Sequence, residues 1–481
     1  MNPSVPQNNT QQSLLQAIRE SPLDENLRLV YADWLEEQGD SPQAELIRLQ
    51  CEMDRLDEDT AQFAAFEKRT KSLLKKHKKE WFGTPPKKLQ ASYHRGTLEV
   101  TLSAQSMVAD DVRQWWSNYG HLVIDLDGHK LTHSNFLRDL RETRWLDGVT
   151  KFDGWTFWDG DEAAELLSEL SWLRSVVICA EALSPEGFHK FHKLKLLQHL
   201  TLETFYPRAL DYFDEELDTI FSDEDFEMLG QFQHLCSLFL SDCDFEDSNT
   251  MSVLTKLPHL RNLELETECS KKTMEIISNI TSLERLVIDP VEFAGSWIKS
   301  LSALPKLVEL ECRGAVGGST ATKHLHKLKR LRKLTIEDAG SRQLSSLKLG
   351  TSVEHLHLFV GFEEPACYPL KDLPELPHLK GLNVSGNDVK STDLPEITKF
   401  PELRSLVLSH TSISGNALKH LDGLEHLEDL AIDGMNIQDT AIKHLANMSS
   451  LRYLSLRNTK ITKEGFRQLR KERPDVTIVD K

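Results

Sequence analysis

The sequence has no run of apolar residues near the roughly 18 that cross a bilayer as a helix. Its first dozen residues, MNPSVPQNNTQQ, lack the basic start and apolar core of a secretory leader. A soluble, cytoplasmic chain without a membrane span is therefore expected. Cysteine is scarce: seven residues in 481, at positions 51, 179, 236, 243, 269, 312 and 367, with no C-x-x-C pair. That spacing speaks against a paired zinc or thioredoxin-like motif and for buried, reduced thiols. Positive charge is also in deficit, with 57 Lys and Arg against 75 Asp and Glu and a net charge of −18. Phosphate binding needs basic surface, so nucleic acid is not expected as the main partner. The sequence also lacks G-x-S-x-G, a Gly-rich phosphate loop and H-E-x-x-H, and Gly317-Gly318-Ser319-Thr320 is only a near miss. No catalytic residue and no cofactor is expected.

What the sequence does have is a period. LRSLVLSHTSISGNALKHLDGL begins at Leu403, LEDLAIDGMNIQDTAIKHLANM at Leu427 and LRYLSLRNTKITKEGFRQL at Leu451, each 24 residues after the last. The phase continues upstream through Leu379, Val353, Leu331, Leu307, Leu283, Leu260 and Leu235. After a 38-residue gap it resumes at Leu197, Leu173 and Val149, giving thirteen starts. Apolar residues fall at positions 1, 4 and 6 of each unit, then near 11, 16, 19 and 22. Alternation at 4 and 6 marks a short strand buried on one face, and the later spacing marks a helix. A single strand–turn–helix unit cannot bury its apolar edge, so units must stack, with strands in a parallel sheet on one side and helices on the other.

This pattern resembles the leucine-rich repeat family, in particular its ribonuclease-inhibitor-like class, over residues 149–481. The resemblance implies an α/β solenoid with a concave strand face and a convex helical face. The departure is at the ninth position, where the family favours Asn or Cys to bond the turn. Asn387, Cys243, Thr411 and Thr459 suit that ladder, whereas Glu268, Ala315, Ala339, Gly361 and Met435 do not. Solenoid ends need covers. RPDVTIVDK supplies Pro474 and a closing strand, Val476 to Val479, at the C-terminus. Trp115, Trp116, Trp145, Trp155, Trp158 and Trp172 cluster at the front, where cap packing and partner binding both account for them.

Ahead of the repeats, residues 1–12 read as a disordered tail and residues 13–83 as a small all-α domain. Ser13 to Arg19 forms a first helix, closed by Ser21-Pro22. Asp24 opens a second helix with an apolar stripe of Leu27, Val30, Tyr31, Trp34 and Leu35, capped at Gly39. Ser41 and Pro42 open a third, with Leu46, Leu49 and Met53 inside. Asp33, Glu36 and Glu37 fall on the solvent side with no His, Cys or Ser spaced for catalysis. LRLVYADWLEEQGDSPQAELIRLQ resembles the repeat-companion domain, found chiefly in planctomycete bacteria ahead of repeat arrays, over about residues 13–56. YHRGTLEVTL from Tyr93 resembles the entry sequence that follows it. That resemblance implies architecture and a bacterial, planctomycete origin more than an activity. Residues 84–148 read as linker and N-terminal cap.

Three local features suggest ligands. KRTKSLLKKHKKEW, Lys68 to Trp81, carries seven Lys or Arg with Leu73, Leu74, His77 and Trp81 at helical spacing. It reads as the outer face of a helix, with nucleic-acid or acidic-lipid contact through 68–79 as the alternative. His355 and His357 share a strand face and could hold a divalent metal if a neighbouring strand gave a third ligand, but the adjacent columns hold Lys333 and Thr335, and Gly381 and Asn383. The stretch 203–227 has ten acidic residues and one basic. It reads as a solvated insertion, since it lacks the spacing of a calcium loop.

Positions 3, 5 and 7 of the units supply the strand face. There Phe239, Glu264, Glu266, Glu309, Glu311, Arg313, Glu337, His357 and Phe359 project from adjacent strands. Mixed charge with aromatic anchors suits a protein or peptide partner better than a small-molecule cleft. The expected function is a non-enzymatic, monomeric protein-interaction scaffold. An alternative is a substrate-selecting adaptor that recruits an enzyme through its N-terminal helices. The four glutamates form an acidic rim expected to steer a basic partner without contributing to stability.

Overall fold

The computed structural model describes residues 9–21, 24–54, 56, 61–87, 89–102, 109–119, 124–127, 149–154, 160–180, 183–203, 223–241, 250–289, 296–313, 322–337, 347–359, 370–386 and 389–480. The chain divides into two compact units, Met1–Leu235 and Cys236–Lys481.

The first unit opens with four helices, α1 (Asn9–Glu20), α2 (Glu25–Glu37), α3 (Ser41–Met53) and α4 (Ala61–Phe82). The side chain of Asp24 caps α2 by accepting from the Asn26 N–H, and Gly39 follows the helix at φ +90°. The cap of α3 is Asp40, which accepts from Gln43, one residue before the expected Ser41. A carboxylate there also favours the positive end of the helix dipole. The expected stripe of α2 holds at Leu27, Tyr31, Trp34 and Leu35, which join one core with Leu15, Ile18, Ala44, Ile47 and Cys51. Val30 instead faces outward at 49% exposure. Arg28 takes the inner position and donates through Nη1 to the Arg95 carbonyl at 2.8 Å. The acidic corner of α2 proves to be a clamp, because exposed Asp33 and Glu36 each bond Arg48 of α3 at 2.7 Å. On α4, Leu73 is buried, His77 stacks on Trp81 with centroids 5.3 Å apart, and Lys68 to Lys79 line the exposed side.

A hairpin follows. β1 (Gln90–His94) pairs antiparallel with β2 (Thr97–Leu102) across a tight turn with Arg95 and Gly96 at positive φ. β2 then pairs in parallel with β3 (Ile124–Asp127), which leads through β4 (Val149–Gly154) and β5 (Ser175–Cys179) to β6 (His199–Glu203). Parallel pairing thus begins at Val100, inside the stretch read as linker and cap. Trp115 and Trp116 are buried on the helix Asp110–Tyr119, and Trp115 Nε1 donates to the Phe82 carbonyl at 3.1 Å. Trp145, Trp155 and Trp158 lie outside the described residues.

The second unit is the repeat array at its most regular. Its strands are β7 (Ser237–Ser241), β8 (Asn262–Glu268), β9 (Arg285–Asp289), β10 (Glu309–Cys312), β11 (Lys333–Ile336), β12 (His355–Leu358), β13 (Gly381–Asn383), β14 (Ser405–Val407), β15 (Asp429–Ala431), β16 (Tyr453–Ser455) and β17 (Thr477–Val479). Each described pair is parallel, and position 4 aligns across all of them, from Leu238 and Leu263 through Leu382 and Leu406 to Ile478. Leu263, Leu286, Leu310, Leu334 and Leu406 are fully buried. Position 6 forms a second core column containing Cys312, and burial pushes that thiol's pKa well up. This is the α/β leucine-rich repeat architecture.

The outer side departs from expectation in detail. Lys271–Ile277, Ser296–Leu301, Ile442–Asn447 and Lys463–Glu472 are α-helical, but Thr250–Lys256, Thr322–Lys327, Leu394–Lys399 and Gly415–Leu421 are 3-10 turns. Apolar residues at 16, 19 and 22 recur every three positions, which suits three residues per turn. Leu418, Leu421 and Leu424 are accordingly all buried.

A polar joint recurs here. The Asp161 carboxylate accepts from the Ser184 N–H at 2.8 Å, Ser391 Oγ from the Ser414 N–H at 2.9 Å, and Asp439 from the Thr462 N–H at 2.8 Å, each pair 23 residues apart. Ser184 and Thr462 also cap helices by accepting from Gly187 and Gly465. A Cβ at either glycine would collide with the joint's own aspartate, so the close approach requires glycine. The last strand forms as expected, and Arg473 closes the array by donating to the carbonyls of Met448 and Leu451 while pairing with Asp475.

Register is testable at neighbouring residues. Leu406→Ala removes a fully buried side chain and should cost about 2 to 5 kcal/mol. Ser405→Ala, on the opposite face, should change the chemical-denaturation midpoint little.

Candidate protein-binding face

Side chains at positions 3, 5 and 7 of the second unit stand on the face opposite the leucine columns, because successive strand residues alternate sides. Position 3 runs Asn262, Arg285, Glu309, Lys333, His355, Gly381, Ser405, Asp429, Tyr453 and Thr477 in register. Position 5 runs Phe239, Glu264, Val287, Glu311, Thr335, His357, Asn383, Val407, Ala431, Ser455 and Val479. All nine residues picked out from the sequence stand on these strands or directly after them, and all are half-buried.

The glutamates are not a free acidic rim. Arg313 pairs through Nη2 with Glu264 at 2.7 Å, through Nε with Glu311 at 2.9 Å, and through Nη1 with Glu266. Arg285 reaches Glu264 at 3.0 Å, Glu309 at 3.5 Å and Glu311 at 3.8 Å, and Lys333 bonds Glu309 at 2.8 Å. Arg313 thus bridges from β10 to β8 across β9, where Val287 is fully buried. Burial opposes the charge on both arginines, but bonds and charges of the surrounding glutamates outweigh it and raise both pKa values. The expectation that charge reversal here leaves stability untouched gives way, since a lysine at 264 or 311 would face both guanidiniums. Sequence reading missed Arg285. The signal was available in column 3, where Arg285, Glu309 and Lys333 alternate in sign on adjacent strands.

Past Lys333 the face changes character. His357 and Phe359 meet edge to face with centroids 6.2 Å apart. Burial lowers the pKa of His355 and of His357, with nearby Lys333 acting in the same direction on both. Gly381 stands beside His355 and is buried, and a Cβ there would strike the imidazole Nδ1, so the missing side chain is what lets the ring lie over the neighbouring strand. Lys333 and Thr335 flank the two histidines on one side and Gly381 and Asn383 on the other. Among the described residues no three His, Cys, Asp or Glu side chains converge as a metal site. Beyond β13 the columns are mostly small and neutral, with Tyr453 exposed at 37%.

Other expected features resolve in part. Residues 204–222 of the acidic stretch lie outside the described residues. Asp223–Glu227 is a short helix in which Asp225 is buried and bonds His189 at 2.8 Å. Asn387, Cys243, Ala315, Ala339 and Gly361 also lie outside the described residues. Thr411 and Thr459 donate to the carbonyls of Leu408 and Leu456, closing their own turns. Thr411 additionally approaches Met435 Sδ at 3.7 Å, so the next unit's ninth residue takes part as a sulfur.

Two measurements test this electrostatic picture. Arg313→Ala leaves three half-buried carboxylates short of a partner and should cost roughly 1 to 3 kcal/mol. Arg404→Ala breaks an exposed pair with Glu428 and should stay within about 0.5 kcal/mol in the same unfolding assay. Because folded His355 and His357 titrate below the ordinary value of about 6.5, the unfolded chain binds more protons in the window beneath it. Their contribution to stability is thus complete above that value and lost as pH falls through it. Unfolding free energy measured across that window should fall less steeply in His355→Gln/His357→Gln than in the parent.

No protein-family model and no curated protein matches the chain. Solved structures do. A leucine-rich repeat protein of Leptospira interrogans aligns at 16% identity and a TM-score of 0.37, over 79% of this chain and 94% of its own. An internalin from Listeria monocytogenes aligns at 18% identity and a TM-score of 0.39, over 67% of this chain and 94% of its own. The TLR13–ssRNA13 complex aligns at 16% identity and a TM-score of 0.42, over 73% of this chain and 55% of that one. Among the described residues no helix is long and apolar enough to cross a membrane.

Proposed function

We propose that the chain is a non-enzymatic protein-interaction scaffold whose strand face in the second unit binds a protein or peptide partner. One observation carries this reading: in-register columns of half-buried side chains present a broad surface already zoned for docking. At one end the charges are compensated by one another, so covering them strands few ions. At the centre the His357–Phe359 pair offers an aromatic anchor, and beyond it lies a stretch of mostly small, neutral side chains bearing Tyr453. Aromatic anchors ringed by polar groups are how protein interfaces concentrate binding energy. The compensated ionic end sets register and rejects like charge more than it supplies affinity.

Affinity capture with the 481-residue chain, read out by mass spectrometry, tests the face directly. Partners retained by the parent should be lost with Phe359→Ala/Tyr453→Ala and kept with Lys443→Ala, an exposed position on the helical side. Partners that survive the first variant and vanish with the second would place binding on the helices and overturn the proposal.

A further inference from the structure

The first unit holds a second surface, unrelated to the strand columns. A groove of about 720 Å3 runs between the C-terminal half of α4 and β1. One wall carries Lys71, Lys75, Lys78 and Lys79, and Leu74, Phe82 and Pro85 supply apolar lining. Among the described residues no carboxylate lines it. Lys71 is paired with Glu67 at 2.6 Å, and Lys78 lies 5.7 Å over the Phe82 ring. Among the described residues Lys75 and Lys79 have no ion-pair partner. The lysines fall at i, i+4, i+7 and i+8, so they form one ridge along the helix.

We propose that this groove binds an extended peptide segment in which acidic and apolar residues alternate. The pitch argues for it. Lys71, Lys75 and Lys79 recur about every 6 Å along the helix axis, and same-side residues of an extended chain recur about every 6.8 Å. Acidic side chains on one side of such a segment meet the ridge in sequence, while the intervening apolar ones turn to the partly exposed Leu74 and Pro85. Phosphates of a single-stranded nucleic acid have a similar pitch, but such strands bind largely by stacking bases on open rings. The rings here are closed off, with Phe82 at 2% and Tyr93 at 8% exposure. Trp81 is turned to His77 and Tyr93. A net charge of −18 further disfavours a long polyanion. A lipid surface calls for projecting apolar and basic side chains, and these apolar groups are recessed.

Fluorescence anisotropy on the 481-residue chain tests the inference, with the fluorescein-labelled peptide Glu-Leu-Glu-Phe-Asp-Leu-Glu-Val-Glu as probe. Saturable binding is expected, weakened roughly tenfold by Lys75→Glu/Lys79→Glu and by raised salt. Lys68→Glu/Lys76→Glu makes the same charge change at exposed positions of α4 outside the groove and should leave binding nearly unchanged. All four positions are exposed, and circular dichroism should report equal folding for both variants. The inference fails if the peptide does not saturate the parent protein or if both variants lose affinity equally. It also fails if a twelve-nucleotide oligouridine or phosphatidylserine vesicles depend on Lys75 and Lys79 while the peptide does not. None of these results bears on the strand face of the second unit.

Discussion

No strand in the second unit can stand alone. Each is three to seven residues long, too short to hold its shape from local preference, and each but the last carries a leucine whose burial needs neighbouring strands, with Ile478 in that place on the last. The hydrogen-bond ladder and the aligned leucine columns satisfy both needs at once, and everything on the outward face inherits their register. The leucines at position 4 therefore determine where Arg285, Glu309 and Lys333 stand relative to one another, although they touch none of them. Stability of this kind is a sum over adjoining repeats.

The ionic end of the face shows how a linear reading can name the right residues and mistake their state. Glu264, Glu266, Glu309 and Glu311 are conspicuous along the chain because each pair sits on one strand. Most of their counter-charges come from other repeats: Arg313, which also bonds Glu311 of its own repeat, reaches partners 47 and 49 residues earlier. Only the lateral columns, assembled once the register is known, reveal that acid and base alternate.

Much of the fold was legible because a period repeated thirteen times over corrects its own noise. The strands of the array, the outward positions, the closing strand and the helix starts at Glu25 and Ser41 follow from spacing and caps to within a few residues, whereas α1 starts at Asn9, inside the stretch read as a disordered tail. What escaped depended on partners distant in sequence. Val30 fits the stripe of α2 by spacing, yet Arg28 is held inside because the Arg95 carbonyl arrives from the hairpin. Asp33 and Glu36 read correctly as solvent-side acids, but their clamp on Arg48 appears only once α3 packs beside α2. The 3-10 turns were implicit in a three-residue spacing that passes easily for a helical one.

The joints on the helical side act as a ruler. In the three repeats that begin at Leu173, Leu403 and Leu451, the joined residues lie 23 apart, and each of these repeats starts 24 residues after the one before. With the strand pinned on one side and the joint on the other, a stray insertion of one or two residues cannot be spread through the repeat. It would unseat one of the two attachments or bulge from the turn between them. The length of such an array is in effect quantised: it can gain or lose whole repeats far more readily than single residues.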